Sequence, residues 1–179
     1  GNLSGDVAAN HYIDQVKVKK GTLEGSLYSE SQIRKISAWN IQDAAITAIQ
    51  GIDTINVRSN LNNTVVSIGY TNLAHSQNPA VPAQEIDAYL GRLKVKGTFA
   101  ATTVAVGVAP DEQGSFLAGT AANASGTIGK VVLQQVNTNS SDDPFGLFAQ
   151  NAIQKLKVEK QKITPDYHHD NFYIEVLNQ

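Results

Sequence analysis

One hydrophobic phrase recurs along this chain: an aliphatic residue, two variable residues, an aliphatic residue, one variable residue, then Val, Ala or Leu. It stands six times, at residues 13–18, 33–38, 52–57, 90–95, 128–133 and 153–158. The first residues of successive phrases are 20, 19, 38, 38 and 25 positions apart. Because 38 is twice 19, a unit has been replaced or a loop of one unit's length inserted where the spacing doubles. A polar or Gly corner follows each phrase, then a second apolar patch: Leu23 and Leu27; Ile41, Ile46 and Ile49; Leu61, Val65 and Ile68; Phe99, Val104 and Val106; Val136, Phe145 and Leu147; Ile163, Phe172, Ile174 and Val176.

The phrase ends in strict alternation, as in Val16-Lys17-Val18, Leu93-Lys94-Val95 and Leu156-Lys157-Val158, which is the period of a strand with one face buried. Only Ile41 to Ile49 has a spacing open to a helix, and Gly51 and the β-branched residues nearby argue for strand. A unit of about 20 residues cannot bury its own apolar side, but copies stacked on one another make a continuous core. The pattern predicts an all-β, single-domain parallel β-helix of about six irregular coils spaced by about 4.8 Å, right-handed by the crossover rule. The alternative is a β-sandwich, which would scatter the six phrases between two sheets.

Composition agrees with many short strands joined by turns. Asn, Gln, Ser and Thr supply 52 of the 179 residues and Gly another 14, while charged residues are only 17%. A formal net charge of −2 excludes a strongly basic whole-molecule field, so nucleic acid is not an expected partner. No apolar run is long enough to span a bilayer. Zero Cys excludes a disulfide framework and a thiol nucleophile. Zero Met, with a start at Gly1-Asn2-Leu3, fits a mature form whose signal peptide has been removed, or a piece of a longer protein.

The segments Ile52-Asp53-Thr54-Ile55-Asn56-Val57, Leu90-Gly91-Arg92-Leu93-Lys94-Val95-Lys96-Gly97-Thr98-Phe99 and Ile128-Gly129-Lys130-Val131 resemble the degenerate repeats of large secreted or surface bacterial β-helix proteins, adhesin-like or uncharacterised. In that group a strand pair is followed by a Gly-Val-Ala-Pro-Asp loop leaving the rod, here residues 107–111. The resemblance covers about residues 13–163 and implies a right-handed β-helix in a secreted or cell-surface setting. Repeats of this kind carry no single function.

Domain organisation follows from the interruptions. Residues 1–12 are expected to form an N-terminal cap or partial coil, residues 163–179 a C-terminal coil or cap, and residues 71–89, 107–126 and 137–146 loop excursions. Pro79 and Pro82 keep the first excursion out of a central strand.

If the phrase's second and third aliphatic residues point inward, the residues before, between and after them point out and stack into rows. Before the pair stand Gln15, Lys35, Thr54, Arg92, Lys130 and Lys155. Between it stand Lys17, Ser37, Asn56, Lys94, Val132 and Lys157, and after it Lys19, Trp39, Arg58, Lys96, Gln134 and Glu159. One face then carries 10 of the 14 Lys and Arg with a single acid. The functional expectation is a cationic sheet binding an acidic polysaccharide or another surface protein, with Trp39 as an aromatic platform. The structural alternative is that these lysines are solvated side chains that keep flat sheets from pairing. Separately, the open ends of a rod need capping, by residues 2–10 and 172–177, or else pairing with another copy, end to end or face to face.

Catalytic signals are thin, and neither a catalytic residue, a cofactor site nor a metal site is expected. Asp14 and Asp53 fall at equivalent positions two coils apart, the only hint of a carboxylate pair such as a polysaccharide lyase or hydrolase would use. Asp166-Tyr167-His168-His169-Asp170 is dense in metal-ligand types, but adjacent histidines in a strand face opposite ways and a turn before the last strand explains it. Asn137, Asn139, Asp142 and Asp143 could supply oxygens to calcium, without the EF-hand spacing.

Overall fold

A computed structural model describes residues 1–70, 86–112, 114–117, 119–122 and 125–177. Among them the chain is strand, turn and bend, with no helix. After β1 (Val7–Ala9) come two strands of 17 residues, β2 (Ile13–Ser29) and β3 (Gln32–Ala48). They run parallel in two stretches, Ile13 to Val18 against Ile33 to Ala38 and Thr22 to Ser29 against Asn40 to Ala48, with a register shift between.

Both stretches are prolonged by later strands. The first continues through β4 (Gly51–Val57), the start of β7 (Asp87–Ala100), β11 (Ser125–Asn137) and β13 (Ala152–Val158). The second continues through β5 (Leu61–Asn62), β6 (Val65–Ile68), β8 (Thr103–Val106), β12 (Phe145–Ala149) and β16 (Phe172–Val176). All these pairings are parallel, and the strands belong to one sheet of 14. The six phrases therefore lie side by side in one ladder, not divided between two sheets as a β-sandwich would require.

The phrase's two variable residues acquire a physical meaning here. Its first residues pair in register, Ile13 with Ile33, Ile33 with Ile52, Ile52 with Leu90, Leu90 with Ile128 and Ile128 with Ile153. Pairing resumes only at the third position, so Asp14, Arg34, Asp53, Gly91, Gly129 and Gln154 form a kink repeated at the same place in every strand. The kinks stack tightly: a Cβ on Gly91 would lie 2.6 Å from the Asp53 carbonyl oxygen, and one on Gly129 2.6 Å from that of Gly91. Two residues can thus separate inward-pointing aliphatics where plain alternation allows one.

Between the two stretches the chain turns a first corner, where Asn Oδ1 atoms take up backbone N–H groups of the neighbouring strand: Thr22 N–H donates to Asn2, Asn60 N–H to Asn40 and Thr98 N–H to Asn60, at 3.0, 3.1 and 2.9 Å. A second corner lies inside the second stretch, after Leu23, Ile41, Leu61 and Phe99, where the register shifts again. There Asp43, Asn63 and Ala101 adopt positive φ of 50°, 44° and 42°, a conformation that Asn and Asp tolerate better than most residues. Thr64 and Thr102, 1% and 0% exposed, follow this second corner, with Thr64 N–H donating to Thr102 Oγ1 at 3.3 Å.

One apolar core runs between the two stretches. Ile33, Ile52, Leu90 and Ile128 stack from the first, and Ile46, Val66, Val104, Leu147 and Ile174 from the second, all fully buried. Phe99, Phe145 and Phe172 pack together within it, with ring centroids 5.7 to 6.3 Å apart. Val65 departs from expectation: it is 44% exposed, and Val66 is the inward residue. Counting back in twos from buried Ile68 selects Val66.

The excursions also differ in extent. Residues 71–85, with the prolines, lie outside the described residues, whereas Asp87, Ala88 and Tyr89 already belong to β7. Residues 107–126 do not simply leave the sheet. They contain an antiparallel pair, β9 (Val108–Ala109) with β10 (Thr120–Ala121), and Ser125 and Gly126 begin β11. Phe116 and Leu117 fold down onto Val108, Ala105 and Phe148, covering the outer side of β8 and β12. The third excursion is shorter than 137–146, because Asn137 ends β11 and Phe145 opens β12.

The two ends differ. After β13 the short antiparallel β14 (Gln161–Lys162) folds back on Lys157 and Val158, and β15 (Tyr167–His169) does the same on β16. At the other end β1 and Leu3 pair with Leu23 and Leu27 to Ser29. Ile13 to Val18 have no strand on their free side among the described residues.

Candidate functional site

Two of the three expected rows are assembled in register. Gln15, Lys35, Thr54, Arg92, Lys130 and Lys155 are successive Cα partners, and so are Lys17, Ser37, Asn56, Lys94, Val132 and Lys157. The inward residues that alternate with the rows, such as Ile36 and Leu93 between them and Ala38 and Val95 after them, are buried. Every cation in the two rows is exposed except Lys94, which is half-buried.

The third row does not form. Lys19, Trp39, Arg58, Lys96, Gln134 and Glu159 lie where the strands leave this stretch, and the register shifts after Val18 and after Leu133. Glu159 sits in a turn at φ 50°. Lys19, Arg58 and Lys96 are exposed corner residues, and Trp39 is 45% exposed. The basic face is therefore two cation rows wide, with a looser basic border.

Arg34 and Asp14 form an exposed ion pair of 2.6 Å at the kink. Asp53 Oδ1 accepts from Gln32 Nε2 at 2.6 Å and from the Tyr89 hydroxyl at 2.8 Å. Burial of Tyr89, together with the hydrogen bond to Asp53 and its negative charge, pushes the phenol up to about 12. The two carboxylates that sequence spacing singles out are thus each engaged by a neighbouring strand, with Arg34 in the intervening one.

Tyr167, His168 and His169 form β15, between positive-φ residues Asp166 and Asp170. His168 stacks on Tyr173 with centroids 5.0 Å apart, while His169 Nδ1 lies 3.1 Å from Asp170 Oδ2. The same carboxylate oxygen accepts from Thr138 at 2.6 Å. The cluster is therefore the first strand of a hairpin, and only Asp170 and Asn171 form the turn before the last strand. In the other oxygen-rich stretch the Ser140 hydroxyl donates to the Asn137 carbonyl, and Asp143 N–H donates to the Ser141 hydroxyl. Among the described residues no three His, Asp or Glu side chains converge as metal ligands.

A groove of about 360 Å³ opens on the outer side of the second stretch, between Tyr28, Thr47, Val65, Ser67 and Phe116. Among the described residues no carboxylate, Lys, Arg or His lines it. Sequence reasoning missed this groove because the positions of Val65 and Phe116 that create it depend on register and on a loop folding back. No helix among the described residues is long and apolar enough to cross a membrane. No protein-family model, curated protein or solved structure matches this chain.

Proposed function

We propose that this chain is a right-handed parallel β-helix module of a secreted or cell-surface protein, non-catalytic and structural or adhesive in role, which binds acidic glycans through its Lys-rich face. Parallel partners offset by about one or two repeat lengths, joined around one continuous core, support the helical winding. The resemblance to degenerate repeats of bacterial surface proteins supports the setting. The observation that carries the binding role is the register of the two outward rows: Arg92, Lys130 and Lys155 are immediate neighbours on three strands.

Like charges stacked in a sheet repel. A face with only a structural role would be more stable with acids interleaved. The carboxylates at the kink engage Arg34, Gln32 and Tyr89 instead.

A glycan array probed at low and at physiological salt tests the proposal, with a Lys94→Glu, Lys96→Glu double variant beside the parent chain. Salt-sensitive binding to acidic glycans that the double variant loses is the expected result. Absence of binding at either salt overturns it, and turnover of a bound glycan would replace it with a polysaccharide-active enzyme.

A further inference from the structure

The two cation rows are not uniform along the stack. On the strands nearest the N-terminus the six row positions are Gln15, Lys35, Thr54, Lys17, Ser37 and Asn56, with two cations. On the three strands from β7 onward they are Arg92, Lys130, Lys155, Lys94, Val132 and Lys157, with five. Lys162 on β14 adds a sixth beside Lys157.

The kink column sharpens this contrast. In the N-terminal half it holds Asp14, Arg34 and Asp53, and the Asp14–Arg34 pair neutralises itself. In the C-terminal half it holds Gly91, Gly129 and Gln154, with no charge at all. Arg92, Lys94, Lys130, Lys155 and Lys157 make no ion pair with any described residue. The outer side of β8 and β12 is covered by Phe116 and Leu117. The outer side of β7, β11 and β13 carries exposed cations.

From this asymmetry we infer that the glycan site is the C-terminal half of the basic face, and that its ligand is a linear polyuronate lying across the strands, along the stacking direction. This inference rests on the glycan-binding reading above and specifies it. Neighbouring strands repeat every 4.7 to 4.9 Å, so the cations form a regular series. A polymer with one carboxylate on each sugar can meet each member of that series in turn, whereas a small anion fills one. Arg92 offers a planar fork to a carboxylate and the lysines offer point charges. Gly91 and Gly129 leave backbone without side chains beside the Arg92–Lys130–Lys155 row, where a sugar ring can come close. The half-face has no aromatic residue in its rows on which nucleobases would stack.

The test uses polygalacturonate as probe and neutral dextran as control, with binding to the full chain measured by calorimetry at low and physiological salt. Two double variants are compared, Lys130→Glu with Lys155→Glu and Lys17→Glu with Lys35→Glu. All four side chains are exposed, and circular dichroism checks that both variants keep the strand signal. The expected result is a loss of about tenfold or more, some 1.4 kcal/mol, for the first pair and little change for the second. Equal losses for both pairs, or a larger loss for the second, overturn the half-face while leaving acidic-glycan binding intact. Failure of the parent chain to bind polygalacturonate overturns the ligand class here; failure on the whole acidic array overturns the broader proposal too.

Discussion

Tyr89 donates its hydroxyl proton to Oδ1 of Asp53 at 2.8 Å, from one parallel strand to the next, although the two residues are 36 positions apart in the chain. Gly51 lies beneath the tyrosine ring, where a Cβ would come within 2.3 Å of Cε1. The ring's place therefore depends on the glycine, and the carboxylate's place partly on the ring.

The raised phenol makes this contact pH-dependent. The folded state favours protonated Tyr89, so its contribution is complete below the ordinary value of 10.0 and is lost as pH rises through about 12. Unfolding by denaturant across that window should show the stability of the parent chain falling more steeply than that of Tyr89→Phe. At neutral pH the variant should be weaker by about 0.5–1.5 kcal/mol, one hydrogen bond's worth. Parallel pH profiles for the two proteins would remove this role.

Glu175 on β16 behaves differently. Burial, then the negative charge of Asp166, raises its carboxyl above 4.5, with His168 opposing. The protonated form is favoured in the fold, so its stabilisation is present below the unfolded value and disappears as pH rises. At neutral pH the ionised side chain is a net cost. Glu175→Gln should raise the melting temperature at pH 7, and the gain should vanish towards pH 4. A variant less stable than the parent at pH 7 contradicts this account.

Phe99 is fully buried between Phe145 and Phe172. Truncation leaves a cavity that neighbours held by strand pairing on both sides cannot close. Phe99→Ala should cost about 3–5 kcal/mol, measured by denaturant unfolding. Val65→Ala, at a position 44% exposed, should cost far less, although both residues belong to the apolar patches that follow the phrases.

Gly146 separates strain from collision. Its φ is +146°, and a Cβ there would meet the Tyr173 carbonyl at 1.9 Å, within the β12–β16 ladder. Gly114 has φ +85° with open space around it. Gly114→Ala should lose about 1 kcal/mol through backbone strain alone. Gly146→Ala should lose clearly more, with a change in the near-ultraviolet spectrum from Phe145, Phe172 and Tyr173. Equal losses would show that β12 and β16 can part without cost.

Much of this architecture was legible because it is periodic. Ile13, Ile33, Ile52, Leu90, Ile128 and Ile153 open the same phrase and share a chemistry, and they became immediate neighbours. The rows through Lys35, Arg92, Lys130 and Lys155 followed, because stacking copies the outward side of a strand as faithfully as its inward side. What escaped was aperiodic. Lys19, Trp39, Arg58 and Lys96 count as a row only if the strands stay straight, and the chain turns its corner there. The Asn2, Asn40 and Asn60 side chains that hold corners look like ordinary loop polarity until their partners in the next strand are known. Phe116 packs on Phe148 from a loop whose sequence suggests projection. The marked carboxylates Asp14 and Asp53 are engaged by Arg34, Gln32 and Tyr89, partners that lie about one or two repeat lengths away.

The unlike ends have a consequence for assembly. Ile13 to Val18 present a strand edge with no partner strand among the described residues, flanked by Lys19 and Lys20, whereas the far end carries fold-back strands β14 and β15. At the far end β14 covers only Lys157 and Val158, and β15 only Phe172 to Ile174. A bare strand edge is a template for backbone pairing with another chain. Lys19 and Lys20 beside the first edge, and the fold-back strands at the second, are features that oppose such pairing.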